Sequence, residues 1–402
     1  MTPETTYFRK GFGLKSDVEQ ELAADYTGHL VDLLRANDST LVVDDVTIRL
    51  AKEFGFCYGV ERAVEYAYQT RRKFPDRRIF LAGEIIHNPH VNAKLREMGI
   101  VFLDAGTEGF DFSSVQPTDV VILPAFGVTI GDFERLRQLG CVMVDTTCGS
   151  VLNVWKRVES YARDGFTALI HGKYYHEETR ATASQVLKYP GGRYLVVRDM
   201  AEAQLVCDYI EGRGDREVFL AKFAQQSNPG FDPDADLARI GVANQTTMLA
   251  RESLAIGELV GASIARYHGA ERRATHFRTF DTICSATQDR QDAVLALLEE
   301  SLDVMLVIGG YNSSNTISLA AICAERVPTF HIEDAACIDP ASGGIRHQPI
   351  GSKSEVQLGS WLPRNGPLRV GLTAGASTPN NKIGEAVALV LATRGIDPQR
   401  VG

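Results

Sequence analysis

Ile170-His-Gly172-Lys-Tyr-Tyr-His176-Glu177 is the stretch whose reading decides the fold. An apolar run ends at a glycine, and four steps later a histidine stands before acidic residues that open a helical pattern. This is the sequence grammar of strand, short loop and helix. The arrangement recurs at Leu81-Ala-Gly83-Glu-Ile-Ile-His87-Asn88 and at Ile308-Gly-Gly310-Tyr-Asn312-Ser-Ser314-Asn315. A second trio follows other apolar runs: Pro124-Ala-Phe126-Gly-Val-Thr129, Asn244-Gln-Thr246-Thr247 and Thr373-Ala-Gly-Ala-Ser377-Thr378. Cysteines form a third. Cys57 follows Phe54-Gly-Phe56, Cys148 closes Asp145-Thr-Thr-Cys148 and Cys284 closes Asp281-Thr-Ile-Cys284, each just before a helical pattern.

Between these junctions, short runs such as Val120-Val-Ile-Leu123 and Val304-Met-Leu-Val-Ile308 alternate with amphipathic stretches such as Leu152–Arg163 and Leu254–Tyr267. Such alternation predicts an α/β protein with parallel sheets. The three trios predict three related α/β units of roughly 100 residues about a pseudo-threefold axis. Ligands in open parallel sheets gather at the C-terminal strand ends, so each unit offers one cysteine and two polar loops to a common centre. The expected boundaries are an N-terminal extension over 1–50, then units over 51–149 with Cys57, 150–283 with Cys148 at its start, and 284–402 with Cys284 at its start.

Bulk composition narrows the function. The chain has 402 residues, 44% hydrophobic and 23% charged, with a formal net charge of −9. An acidic balance argues against a nucleic-acid binder, which shows a basic face. Its apolar stretches fall far short of the roughly 20 residues needed to cross a bilayer, so no membrane association is expected. Residues 1–50 carry nine acidic residues against five Lys and Arg, with no apolar leader, and this predicts a cytoplasmic protein.

Seven cysteines, scattered and without any Cys-x-x-Cys pair, exclude a disulfide framework and zinc ribbons. Cys207 and Cys323 sit inside apolar helical patterns and read as small core residues, and Cys141 and Cys337 have no suggestive neighbours. Cys57, Cys148 and Cys284 differ. Glycines flank Cys57, the other two share an Asp-Thr-x-Cys context, and helix starts stabilise a thiolate-ligated anionic cluster. Three thiolates on a four-iron cluster leave one iron without a protein ligand, free to bind substrate oxygen as a Lewis acid and to pass electrons.

The remaining motif residues, His87, His176, Asn312, Ser313, Ser314, Asn315, Thr246, Thr247 and Ser377, form a set of neutral donors. They suit a phosphate or diphosphate held by hydrogen bonds and helix N-termini. No Walker-type or dinucleotide-binding glycine motif is present, which excludes the common nucleotide folds. Glu178, in His176-Glu177-Glu178-Thr179, is the proton-donor candidate. Enclosed beside a cluster and an anionic substrate, its carboxyl is expected to titrate high. Glu177 reads as a first-turn acid complementing the helix dipole.

These blocks together resemble one family, the 4-hydroxy-3-methylbut-2-enyl diphosphate reductases, also called IspH or LytB. The resemblance rests on Gly55-Phe-Cys57-Tyr-Gly-Val-Glu-Arg-Ala63, Glu84-Ile-Ile-His87-Asn88, Asp145-Thr-Thr-Cys148, His176-Glu-Glu-Thr179, Gln245-Thr-Thr247, Thr282-Ile-Cys284-Ser-Ala-Thr-Gln288, Asn312-Ser-Ser-Asn315 and Thr373-Ala-Gly-Ala-Ser377, in family order over about residues 50–390. The N-terminal segment and Phe219-Leu-Ala-Lys-Phe223 resemble the longer cyanobacterial and plant subgroup. The resemblance implies a trefoil around a [4Fe–4S] cluster held by Cys57, Cys148 and Cys284, one iron lacking a protein ligand. It implies an allylic diphosphate substrate bound by His87, His176, Thr246, Ser313, Ser314, Asn315 and Ser377. Glu178, aided by Thr246, relays protons, and a two-electron, two-proton removal of the substrate hydroxyl gives isopentenyl and dimethylallyl diphosphate. Where many bacterial members carry a His-Gly loop, this chain has Phe126, so one contact of that loop does not carry over.

The rival enzyme class is an open-iron hydro-lyase, which removes a hydroxyl without net electron transfer. The donor-rich anion cradle disfavours it, because carboxylate substrates attract Arg clamps. A non-enzymatic rival is an iron–sulfur sensor or scaffold, in which Glu178 would carry no function. A ferredoxin or flavodoxin is the expected electron donor, and both are acidic, so a local basic patch is required on this acidic chain. Arg71-Arg-Lys73-Phe-Pro-Asp-Arg77-Arg78 is one candidate stretch.

Overall fold

A computed structural model describes residues 6–106, 109–363 and 366–400. Three parallel sheets organise it, and they share one strand order. The first runs Tyr7–Phe8, Val142–Asp145, Val120–Leu123, Ile79–Ala82, Ile100–Leu103. The second runs Arg193–Val197, Thr167–His171, Ile240–Asn244, Phe277–Thr279. The third runs Thr329–Ile332, Val304–Ile308, Leu368–Ala374, Val46–Leu50, with Thr40–Val43 added antiparallel at its edge. Leaving aside the flanking strands, each sheet has its second strand outermost, then the first, the third and the fourth. The α/β class expected from the sequence is thus observed, three times over.

Local physics accounts for the strands. Ile79–Ala82, Val120–Leu123, Thr167–His171 and Val304–Ile308 are buried along their whole length. Continuous burial is the signature of a parallel strand covered by helices on both faces. The amphipathic stretches form those helices: Tyr58–Lys73, Gly149–Arg163, Ala250–His268 and Ser285–Leu297 among them. Cys207 and Cys323 lie buried within helices, as their apolar surroundings predict.

The third sheet takes one strand from near the N-terminus. The fourth strand of the third sheet, Val46–Leu50, comes from the segment expected as an extension, and it pairs in parallel with Leu368–Leu372. Cys57 therefore follows the fourth strand of the third sheet, Cys148 that of the first and Cys284 that of the second. Each cysteine closes a sheet, whereas the boundaries at 51, 150 and 284 gave Cys57 to the first unit and placed the other two at unit starts. The pairing of Val46 with Leu368 spans 322 positions.

The chain divides into two compact units. One comprises the chain up to Lys10, Phe74–Ile85 and Gly99–Cys284, and holds the first and second sheets. The other comprises Gly11–Lys73, Ile86–Met98 and the chain from Ser285 onward, and holds the third. The latter also carries a small antiparallel sheet, Ile338–Asp339, Gly344–His347 and Val356–Leu358, between the second and third strands of its main sheet. Among the described residues, no helix is long and apolar enough to cross a membrane.

Candidate active site

In the unit that holds the first two sheets, Glu178 is the centre of a closed arrangement. It lies in the first turn of the helix Glu177–Ser184, after the first strand of the second sheet. Its carboxyl is buried and accepts from Thr246 twice: the backbone N–H at 2.6 Å to Oε1 and the hydroxyl at 3.0 Å to Oε2. Thr246 sits in the loop after the third strand, and its carbonyl accepts the N–H of Cys284 at 3.3 Å. Proton-donor candidate, helper threonine and cysteine are thereby linked through one residue.

His176 caps the same helix. Its Nδ1 accepts the Glu178 N–H at 3.1 Å. A ring nitrogen that accepts holds no proton, so the neutral imidazole carries its hydrogen on Nε2 as a donor. The Phe126 ring stands edge-on against this imidazole, with centroids 5.4 Å apart. The Phe126 ring thus packs against one edge of the His176 imidazole.

In the other unit, the loop after the third strand of the third sheet ties the remaining candidates together. The Asn315 side chain accepts from Ala376 N at 2.9 Å, and the carbonyl of Ala376 accepts from Cys57 N at 3.2 Å. Ser377 donates to the carbonyl of His87 at 3.1 Å. Ser313 caps the helix Ser314–Ala324, accepting from Thr316 N at 3.3 Å and from the Thr316 hydroxyl at 2.9 Å, which leaves its own O–H to donate elsewhere. Gly310 is glycine for a spatial reason: a Cβ there would stand 2.6 Å from the His87 carbonyl oxygen. Asn315 Nδ2 is buried with no hydrogen-bond partner among the described residues. A buried amide donor left open is costly unless a ligand acceptor meets it.

The seven cysteines separate by environment. Cys57, Cys148 and Cys284 are partly exposed; Cys141, Cys207, Cys323 and Cys337 are buried. Burial pushes the thiols of Cys141 and Cys207 up to about 11 and that of Cys323 to about 12, which makes them poor ligands. The three exposed ones each end a sheet and immediately precede a helix, and Cys148 is the N-cap of Gly149–Arg163. This donor set fits an anionic iron–sulfur cluster: three soft ligands at three positive helix ends.

Two further residues bear on the site. Arg290, buried on the helix after Cys284, turns its guanidinium onto the loop before Cys57, reaching the carbonyls of Phe54, Gly55 and Phe56. A buried arginine on a helix face reads from sequence as a surface residue, so only the arginine's regular helical placement could have hinted at it. Lys173, in the loop before His176, is half-buried, and burial pulls its ammonium pKa down. It lies inside the stretch from Ile170 to Glu177, a lone cation among neutral donors.

Fold and site together define a three-sheet α/β protein with a cysteine closing each sheet. Residues 48–391 match the family described as LytB protein, and the chain belongs to that family. Curated relatives named 4-hydroxy-3-methylbut-2-enyl diphosphate reductase include one from Gloeobacter violaceus, 51% identical over 97% of this chain and 93% of its own. Another, from Thermosynechococcus vestitus, is 49% identical over 97% of this chain and 95% of its own. A solved structure of (E)-4-hydroxy-3-methyl-but-2-enyl diphosphate reductase, described as the terminal enzyme of the non-mevalonate pathway, is 27% identical, with a TM-score of 0.52 over 85% of this chain and 98% of its own. That of the Plasmodium falciparum reductase has a TM-score of 0.62 over 87% of this chain and 90% of its own at 21% identity, and bears on the fold. The resemblance drawn from the motifs therefore holds, and the chain is a reductase of this family.

Proposed function

We propose that the chain converts (E)-4-hydroxy-3-methylbut-2-enyl diphosphate to isopentenyl and dimethylallyl diphosphate, as the last step of the non-mevalonate isoprenoid pathway. Cys57, Cys148 and Cys284 hold one [4Fe–4S] cluster at the centre of a trefoil. When bound, the cluster supplies electrons and a Lewis-acidic iron that no protein group ligates. The observation that carries the substrate class is the open donor Asn315 Nδ2, at a helix start with Ser313 and Ser314. Such a constellation takes a phosphate oxygen.

The chain's own groups then have distinct tasks. His176 Nε2–H, the Ser313 and Ser314 hydroxyls and Asn315 Nδ2 hold and orient the diphosphate, with His87 and Ser377. The Ser377 hydroxyl rotates off the His87 carbonyl to reach it. Glu178 delivers the proton, and Thr246 holds both oxygens of its carboxyl so that the transfer geometry is set before substrate binds. A ferredoxin or flavodoxin delivers the electrons. The hydro-lyase alternative shares the cradle but needs no reductant.

Anaerobic purification with iron and sulfide quantification, followed by assay on the allylic diphosphate with and without dithionite-reduced viologen, tests this. Four irons per chain and reductant-dependent formation of both products are expected. Turnover without any electron donor would sink the reductase reading.

A further inference from the structure

An electron carrier must dock somewhere on this acidic chain. Arg72 and Arg78, in the arginine-rich stretch noted in the sequence, are each committed to a carboxylate: Glu21 at 2.5 Å and Asp119 at 2.6 Å. Their charges are largely cancelled.

Another surface is not cancelled. Phe277–Thr279 is the edge strand of the second sheet, and the chain leaves it through Phe280, which is 41% exposed. The Arg157 guanidinium lies 3.8 Å from the centre of that ring, and the Tyr161 ring stacks on it at 25°. Arg273, Arg278 and Phe280 line one open groove of about 630 Å³. Arg157 and Arg272 have no carboxylate partner among the described residues. Asp164 is shared between Arg278 at 2.5 Å and Arg163 at 3.3 Å, and among the described residues the one ion pair of Arg273 is with the exposed Glu258 at 3.5 Å. Asp281 turns its carboxylate back onto the N–H of Ile283. The patch is net positive on a chain of net charge −9.

Its position gives it a purpose. Phe280 is four residue steps from Cys284, at most about 14 Å of extended chain. The segment is held down, because Thr282 accepts from Asn244 N at 2.7 Å and Cys284 donates to Thr246. An exposed aromatic that carries one arginine on its face and shares a groove with two more has the composition of an interface centre, and opposite charge steers the encounter.

We propose that this surface, centred on Phe280 with Arg157, Arg272, Arg273 and Arg278, docks a small acidic ferredoxin and admits its electrons toward Cys284. The inference rests on the reductase reading above.

The test uses the cluster-loaded enzyme with Arg157→Glu, Arg157→Glu/Arg273→Glu and Phe280→Ala. Calorimetry reads ferredoxin binding directly. Turnover is measured with reduced ferredoxin and, separately, with reduced methyl viologen, which needs no docking site. The double reversal should weaken ferredoxin binding and raise its KM by about tenfold or more, and flatten their dependence on salt. Its viologen-driven rate and iron content should stay within about twofold of wild type. Unchanged ferredoxin affinity in the double reversal overturns the proposal, as does an equal fall with both donors, which assigns these arginines to the integrity of the site. A wild-type enzyme inert with viologen overturns the reductase reading instead, and the binding titration still decides the docking surface.

Discussion

The guanidinium of Arg290 donates twice to the carbonyl of Gly55, through Nε at 3.2 Å and Nη2 at 2.7 Å. Gly55 has φ +66°, a left-handed conformation, and this turn aims the carbonyls of residues 54–56 at one point. A buried cation from one helix thus gathers the carbonyls of the loop that presents Cys57, while the N–H groups of Gly55 and Cys57 pair with the carbonyls of Ala374 and Ala376.

Replacing Arg290 by Met leaves three carbonyls without that donor, at about 1–3 kcal/mol for each buried group left unsatisfied. We expect a loss of at least about 3 kcal/mol in urea unfolding. The loop should lose its grip on iron as well, so chelator should strip the variant faster than wild type. Arg290→Lys keeps the charge with a smaller fan of donors and should fall between the two. Equal chelator resistance in all three proteins would remove the link between this arginine and the cysteine.

Asn315→Asp exchanges an open amide donor for an oxygen while leaving the acceptor that holds Ala376. Binding of an anionic substrate should suffer more than the chemical step, with KM up by at least about tenfold, equivalent to 1.4 kcal/mol, and a smaller change in kcat. Initial-rate kinetics over a range of substrate concentration separate the two parameters. A change confined to kcat would remove Asn315 from the diphosphate cradle.

Glu178→Gln is nearly isosteric and keeps an oxygen for one of the two Thr246 hydrogen bonds. The fold should persist, with unchanged circular dichroism and iron content, while turnover drops by about 10²–10⁴ as a positioned proton donor is lost. Full activity in this variant is the outcome a sensor or scaffold requires.

Acid should weaken the fold through two buried histidines. Burial lowers the folded pKa of His171 and His331 to about 4, against an unfolded value near 6.5. Between these values the unfolded chain binds more protons, so stability rises with pH. Their contribution is complete above about pH 6.5 and is lost as pH falls toward 4, by up to about 1.4 kcal/mol per pH unit for each. Urea midpoints at pH 4.5, 5.5 and 6.5 report the slope. His331→Asn should flatten its share, and should loosen the Gly309 carbonyl that His331 Nε2 holds at 2.9 Å.

Much of the fold and site is legible in the sequence. Strand, glycine, polar residue and helix is a local grammar, so the junctions at Gly83, Gly172 and Gly310 and the helices after the cysteines could be taken from single windows of sequence. So could the separation of Cys207 and Cys323 from the other cysteines, because apolar helical context predicts burial. Pairing between distant segments leaves no such trace. Nothing local to Val46–Leu50 says that its partner is Leu368–Leu372 rather than a strand of the following unit. Nor does Arg290 show in sequence that its helix lies against residues 54–56. The Glu178–Thr246 pair belongs to the same class: each residue was singled out, but the two hydrogen bonds between them follow from the parallel register of Thr167–His171 with Ile240–Asn244.

The borrowed fourth strand of the third sheet sets an order of events during biosynthesis. Val46–Leu50 leaves the ribosome early, but its parallel partner begins at Leu368. At about 5–20 residues per second, that partner follows after roughly 16–64 s. Until then the Cys57 backbone lacks Ala376, while the sheets ending in Cys148 and Cys284 already have all their strands. The earliest of these three cysteines to be synthesised is thus the last to be placed, and a nascent chain cannot present the complete set.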